Sequence, residues 1–229
     1  MSEVAQLKAL FQNARVAFLD LMQKVVNQTN LLSKAYGTDD ARFMFFQHFT
    51  ALNEWLLISL DTSVELTSDN GERVNRYVIM DAETRIHYLL THDQFNRQAY
   101  VTLAMFYLED FVKSLMRGIQ EPPTGTYFAF TRDFLNRLGI TNPQKHRIMN
   151  APYQLRNALH NNGYPSRDFD ITLNGNHYVF QKGKQLGFTG WNHLHVFFDE
   201  LFDVLVEVVN NPTIRSVSSI PHSYIVRTD

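Results

Sequence analysis

A mainly helical fold, a bundle carrying one or two small β-hairpins, is predicted by three features of this chain. Apolar residues recur at spacings of three and four over most of the 229 residues. Period-two alternation is confined to short stretches, and those strands are too few to form a core. There is no internal repeat and no low-complexity block.

In chain order, Val4, Leu7, Leu10, Phe11, Ala14, Phe18, Leu21, Met22 and Val25 keep a helical period, so a long amphipathic helix runs toward Ala35 and stops at Gly37. Thr38, Asp39 and Asp40 offer caps for a second helix through Phe43, Phe46, Phe49, Leu52, Leu56 and Leu60, whose wide apolar coverage implies burial between neighbours. Between Thr62 and Met80 polar residues around Ser68 to Gly71 interrupt the pattern. Val64, Leu66, Val78 and Ile79 there suit a small hairpin or an ordered loop.

Asp81 to His92 reads as a short helix, and Asp93 as the cap of a longer core helix through Phe95, Tyr100, Leu103, Phe106, Tyr107, Phe111 and Leu115 to Gly118. The Glu121 to Gly125 segment, with two prolines, breaks the chain before a brief helix from Tyr127 to Leu138 closed by Gly139. Pro143 opens another helical stretch, with a break or kink at Asn150 to Pro152. After Gly163, Phe169, Ile171 and Leu173 alternate, then Asn174-Gly175, then Tyr178 and Phe180, which is a hairpin signal. A last helix follows Gly190 through Trp191, Leu194, Val196, Phe197, Leu201, Leu205 and Val208 to Asn210-Asn211-Pro212. Residues 1–212 therefore read as one helical domain with hairpins near 62–80 and 168–182, and 213–229 as a C-terminal tail.

Composition narrows the function classes. A 45% apolar chain of this length can bury a sizeable core. A net charge of −2 supplies no global attraction to phosphate, so any RNA contact must be local. The absence of cysteine removes disulfides, thiolate catalysis and cysteine-based metal sites. Neither a basic start followed by an apolar core nor a membrane-length apolar run occurs, which makes the cytoplasm the default and a membrane unexpected. Glycine-rich phosphate loops and a Gly-x-Ser-x-Gly elbow are missing, so no nucleotide cofactor or α/β-hydrolase chemistry is expected.

Chemistry concentrates in the stretch from Asn150 to Gly163. Asn150 can cap, Pro152 fits a first turn and Gly163 supplies a left-handed stop, which together predict a helix of about three turns. Met149, Pro152, Leu155 and Leu159 form its apolar stripe, and Arg156 and His160 lie at the border, one turn apart. Asn157, three residues before His160, reaches the same patch. One reading of the pair is structural: Arg156 pairs with a carboxylate on a neighbouring helix and His160 donates to the terminal carbonyls of its own helix. In the other, His160 moves a proton and Arg156 holds a phosphate.

Arg156, Asn157 and His160 resemble the motif of the HEPN superfamily, all-α domains marked by an Arg, a polar residue and a following His. Three residues lie between Arg156 and His160, fewer than in most members. The resemblance implies a metal-independent endoribonuclease of a toxin or phage-defence type, acting as a homodimer on RNA, with an antitoxin or other protein as a further partner. It implies equally, as the alternative, a catalytically inactive module that binds a partner protein or nucleotide. In the ribonuclease reading the RNA 2′-hydroxyl is the nucleophile and no metal is needed.

Lys145 and Arg147, with Arg167, are candidates to track RNA phosphates, or else simply a solvated face. His193 and His195, two apart on a helix, diverge and read as packing or surface residues; His87 and His92 suggest no third ligand, so no metal site is expected. Phe45, Phe46 and Phe49, with Phe197, Phe198 and Phe202, suit a core or a dimer interface. Apolar residues on opposite sides of the last helix would let one side serve a second subunit.

Overall fold

Side-chain caps and left-handed residues set the limits of most elements. A computed structural model describes residues 3–67 and 81–222, which form helices α1 (Glu3–Tyr36), α2 (Ala41–Leu66), α3 (Ala82–Gly118), α4 (Tyr127–Arg137), α5 (Pro143–His160), α6 (Trp191–Asn210) and α7 (Pro212–Arg215), with β1 (Phe169–Leu173) and β2 (Asn176–Phe180) between α5 and α6. Asp40, Asp81, Thr126, Asn142 and Asn211 each accept a backbone N–H of the helix they precede, satisfying donors that the first turn leaves free. The hairpin pairs Leu173 with Asn176 and Phe169 with Phe180. Asn174 and Gly175 between the strands both take positive φ (45° and 74°), as the mirror-image two-residue turn requires.

The mainly helical architecture is as expected. α1 and α2 pack along each other, α2 against α3, α6 against α1, and α5 against α3, α4, α6 and β1. Aromatic rings fill the centre: Phe18 meets Tyr100 and Trp191 edge-on (5.4 and 5.7 Å), and Phe45 stacks on Phe111 at 4.3 Å. Tyr100 Oη donates to Asn53 Oδ1 (3.1 Å), so the one polar atom of a fully buried ring is paired.

Several boundaries differ from the sequence reading. Val64 lies inside α2 and Leu66 ends it; Val78 and Ile79, the other half of the expected hairpin or loop, lie outside the described residues. α3 is continuous where two helices were expected. Asp93 does not cap it: its carboxylate is buried, accepts Trp191 Nε1–H (2.6 Å) and pairs with Arg97 (2.9 Å). The tertiary partner consumed the residue type that usually starts a helix. Within that helix Phe95, Leu103 and Phe106 are 64%, 40% and 53% exposed, not core.

α5 likewise runs through the expected break. Asn150 is mid-helix, its Nδ2 donating to the carbonyl of His146 (2.8 Å), and Asn142 is the true cap. Pro152 is tolerated although it removes one helical N–H; Tyr127 Oη donates to the Met149 carbonyl (3.0 Å) in the turn the proline loosens. The helix ends with Asn162 in the left-handed C′ position (φ 51°); Gly163, one residue further on, is left-handed as expected (φ 85°), and its N–H closes the Schellman bond to Ala158 (2.7 Å).

Residues 213–222 are packed, not a tail. Ile220 is fully buried against Gly118, its backbone exchanges hydrogen bonds with Asp40 and Ala41, and Pro221 bridges Asp40. The fully buried Arg42 grips this strap, donating to the carbonyls of Ile214 and Val217 (2.9 and 3.0 Å) while its other nitrogens hold Asp40. Asp40 caps α2 at the same time. No described helix is long and apolar enough to cross a membrane.

Candidate functional site

Arg156, Asn157 and His160 stand on the last two turns of α5, where the Schellman closure and α3 fix the helix end. Ala158 and Leu159 are buried, which turns the three polar side chains toward the border of the bundle. His160 is exposed, and its Nε2 shares a hydrogen bond with Thr102 Oγ1 on α3 (3.1 Å). One turn above, Gln98 Nε2 lies 3.4 Å from the carbonyl of Leu159. Arg156 and Asn157 are half-buried, and the side chain of neither makes a hydrogen bond or ion pair with any described residue.

Both expectations of a purely structural pair therefore go unmet. Arg156 meets no carboxylate among the described residues, and His160 bonds across to α3 instead of to its own terminal carbonyls. A half-buried guanidinium with five open donors can hold a planar anion. An imidazole fixed at one nitrogen by a hydroxyl keeps the other free for proton transfer.

The basic residues expected to join them do not share their surroundings. Lys145 lies almost in line with Arg156, but eleven residues earlier, about 16 Å along the axis. It pairs there with Glu207 of α6. Arg147 is nine residues from Arg156, about 180° around the helix. It binds the backbone oxygen and carboxylate of Asp170, both at 2.8 Å. Arg167 donates to Gln154 Oε1 (3.2 Å) and lies over the ring of Phe128 (5.1 Å). Arg147 and Arg167 thus belong to the hairpin side of α5, away from the Arg156 side.

Thr102 escaped the sequence reading because its link to His160 spans 58 residues and leaves no local pattern. So did the apolar strip formed by Phe95, Leu103 and Phe106, which lies along the α3 face around Thr102. The side of the last helix proposed for a second subunit is instead spent within the chain: Leu194, Phe197, Phe198, Leu201, Phe202, Val204, Leu205 and Val208 are all buried.

The other histidines fall where packing puts them. His195 lies edge-on to Phe18 (5.5 Å) and His193 near Tyr178, and burial holds both imidazoles below their ordinary value. Among the described residues no three His, Asp or Glu side chains converge as metal ligands. Compared with protein families, curated proteins and solved structures, the chain matches none of them.

Proposed function

We propose that this protein is a HEPN-like endoribonuclease working without metal, with Arg156, Asn157 and His160 as its site. The observation that carries the reading is a half-buried Arg156 with no partner among the described residues, one turn from a His160 held by Thr102. His160 takes the proton of an RNA 2′-hydroxyl; the freed oxygen bonds to the adjacent phosphorus and the P–O5′ bond breaks. The departing 5′-oxygen takes a proton from a second, protonated imidazole, leaving a 2′,3′-cyclic phosphate and a 5′-hydroxyl. Arg156 stabilises the phosphorane as its charge grows, and Asn157 orients the phosphate.

One chain holds one such imidazole at the site, so the mechanism calls for a homodimer. The exposed Phe95, Leu103 and Phe106 beside Thr102 supply the apolar contact that would bring two α5 ends together. A toxin or defence setting, with an antitoxin as a further partner, follows from the resemblance alone.

A second reading has its own support. Lys145, Arg147 and Arg167 are all engaged within the chain and the net charge is negative, which suits a catalytically inactive module binding a partner protein. Incubating the protein with RNA and chelator separates the two. The ribonuclease reading expects cyclic-phosphate products and a loss on the order of a hundredfold or more in His160→Ala and Arg156→Ala. Cleavage that survives in both variants removes these residues from the mechanism, and a folded protein that cleaves no RNA is the binding module.

A further inference from the structure

The hairpin has two outer edges, and the fold closes only one of them. Its register runs from Phe169 opposite Phe180 to Leu173 opposite Asn176, without a bulge. Residues flanking a two-residue turn exchange ladder bonds, and the next pair does not. Asp170 and Thr172 on β1, and His177 and Val179 on β2, therefore aim their N–H and C=O groups away from the hairpin. On the β1 side α5 covers them: the Asp170 carbonyl accepts from Arg147 (2.8 Å) and the Thr172 carbonyl from Gln144 Nε2.

The β2 edge has no such cover. Among the described residues none bonds to the outward backbone groups of His177 or Val179. From Asn176 to Gln181 the strand holds no Lys, Arg, Asp, Glu, Pro or Gly, so it lacks the devices that keep an exposed edge single. Val179 is 50% exposed, while Tyr178 and Phe180 are buried and anchor the strand to the bundle. Tyr, Val and Phe suit a strand with neighbours on both sides.

We infer that β2 pairs antiparallel with β2 of a second copy of this chain, extending the two-stranded sheet to four strands. The two-fold axis passes through Tyr178, so His177 faces the partner's Val179 and Val179 faces the partner's His177. Each pair exchanges both of its backbone bonds. This register sets no like charges against each other, since Lys182, the first charged residue past the strand, falls opposite the turn residue Asn174. The edge offers no charged group by which to select an unrelated peptide, and an uncharged strand is complementary to itself. Five residues span about 17 Å, at the low end of interface sizes, so pairing is weak and grows with concentration. It uses neither Arg156 nor the α3 strip, and it stands or falls apart from the ribonuclease reading.

Residue-resolved amide exchange on the full chain, from micromolar to millimolar protein, tests the pairing. The amides of His177 and Val179 should exchange roughly tenfold more slowly at the high end, while those of Asp170 and Thr172 keep one rate. A mixture of isotope-labelled and unlabelled chains should give a filtered NOE between Tyr178 Hα protons, where the paired strands approach to about 4.5 Å between Cα atoms. Val179→Pro removes an outward N–H that the β1 ladder does not use, and should abolish both signals in a chain that still melts cooperatively. Val179→Lys leaves every backbone group in place and should weaken pairing about 2- to 5-fold. Phe106→Ala, on the α3 strip, should leave both signals unchanged. Exchange at His177 and Val179 that ignores concentration, a missing NOE, or Val179→Lys pairing as tightly as the parent overturns the inference. So does protection that comes only with an added extended peptide, which would make the edge a dock for another protein's strand.

Discussion

Replacing Arg42 by Ala tests whether the C-terminal strap is part of the folded unit. Arg42 and Asp40 are both fully buried; the guanidinium contacts both carboxylate oxygens (2.8 and 2.6 Å), two strap carbonyls and the face of Tyr36 (3.4 Å). Alanine leaves the Asp40 carboxylate buried without its counter-ion, and strands the carbonyls of Ile214 and Val217. Breaking one side of a buried pair costs about 3–5 kcal/mol, a large share of the ~5–15 kcal/mol by which domains are stable. At this chain length that lowers Tm by roughly 6–20 °C. Urea unfolding measures the loss, and hydrogen exchange should show residues 214–222 opening before the rest. Arg215→Ala, at an exposed neighbour, is the control and should stay within about 0.5 kcal/mol. A loss below about 1 kcal/mol in Arg42→Ala, or strap amides as protected as in the parent, would refute the reasoning.

Acid should destabilise the protein. Burial, the leading cause in each, holds His48, His92, His193, His195 and His222 below the ordinary imidazole value. The folded chain then binds fewer protons than the unfolded one, so stability is fully present above about pH 6.5 and lost as pH falls from there. Asp93 and Asp203, raised by burial, act with the opposite sign and lower on the scale. Urea midpoints at neutral pH and at mildly acidic pH read the difference, and a flat profile contradicts it. Gly118→Ala should cost about 1–3 kcal/mol, less up to ~1 kcal/mol of helix propensity, because the new Cβ stands 2.9 Å from Ile220 Cγ1. In an Ile220→Ala background, which removes Cγ1, Cγ2 and Cδ1, the same substitution should cost less; equal costs with and without it argue that the strap does not press on Gly118.

How the candidate site could be read from the chain depends on the range of each interaction. Arg156 and His160 share a helix edge by spacing alone, and Asn174-Gly175 dictates its turn through backbone sterics, so both were legible. Lys145 and Arg147 looked like one basic run, yet two residues on a helix are about 200° apart, and different carboxylates claim them. Thr102 and the exposed strip of Phe95, Leu103 and Phe106 depend on which face of α3 its neighbours cover, and nothing local reports that.

Periodicity, caps and turn chemistry are short-range, and they specified a helical bundle, its hairpin and the helix that carries the Arg and His. Asp93, Asn150 and Pro152 all carry local signals for a helix start, and all three lie inside helices. Trp191 and Arg97 hold Asp93, the His146 carbonyl takes the Asn150 amide, and burial offsets the missing N–H of Pro152. Arg42 likewise turned an apparent tail into a packed strap, because a buried guanidinium takes whatever carbonyls the fold brings within reach. Trp191 reaches Asp93 across 98 residues and Arg42 reaches the strap across more than 170, and breaking a buried ion pair such as Arg42–Asp40 costs about 3–5 kcal/mol against about one for a cap.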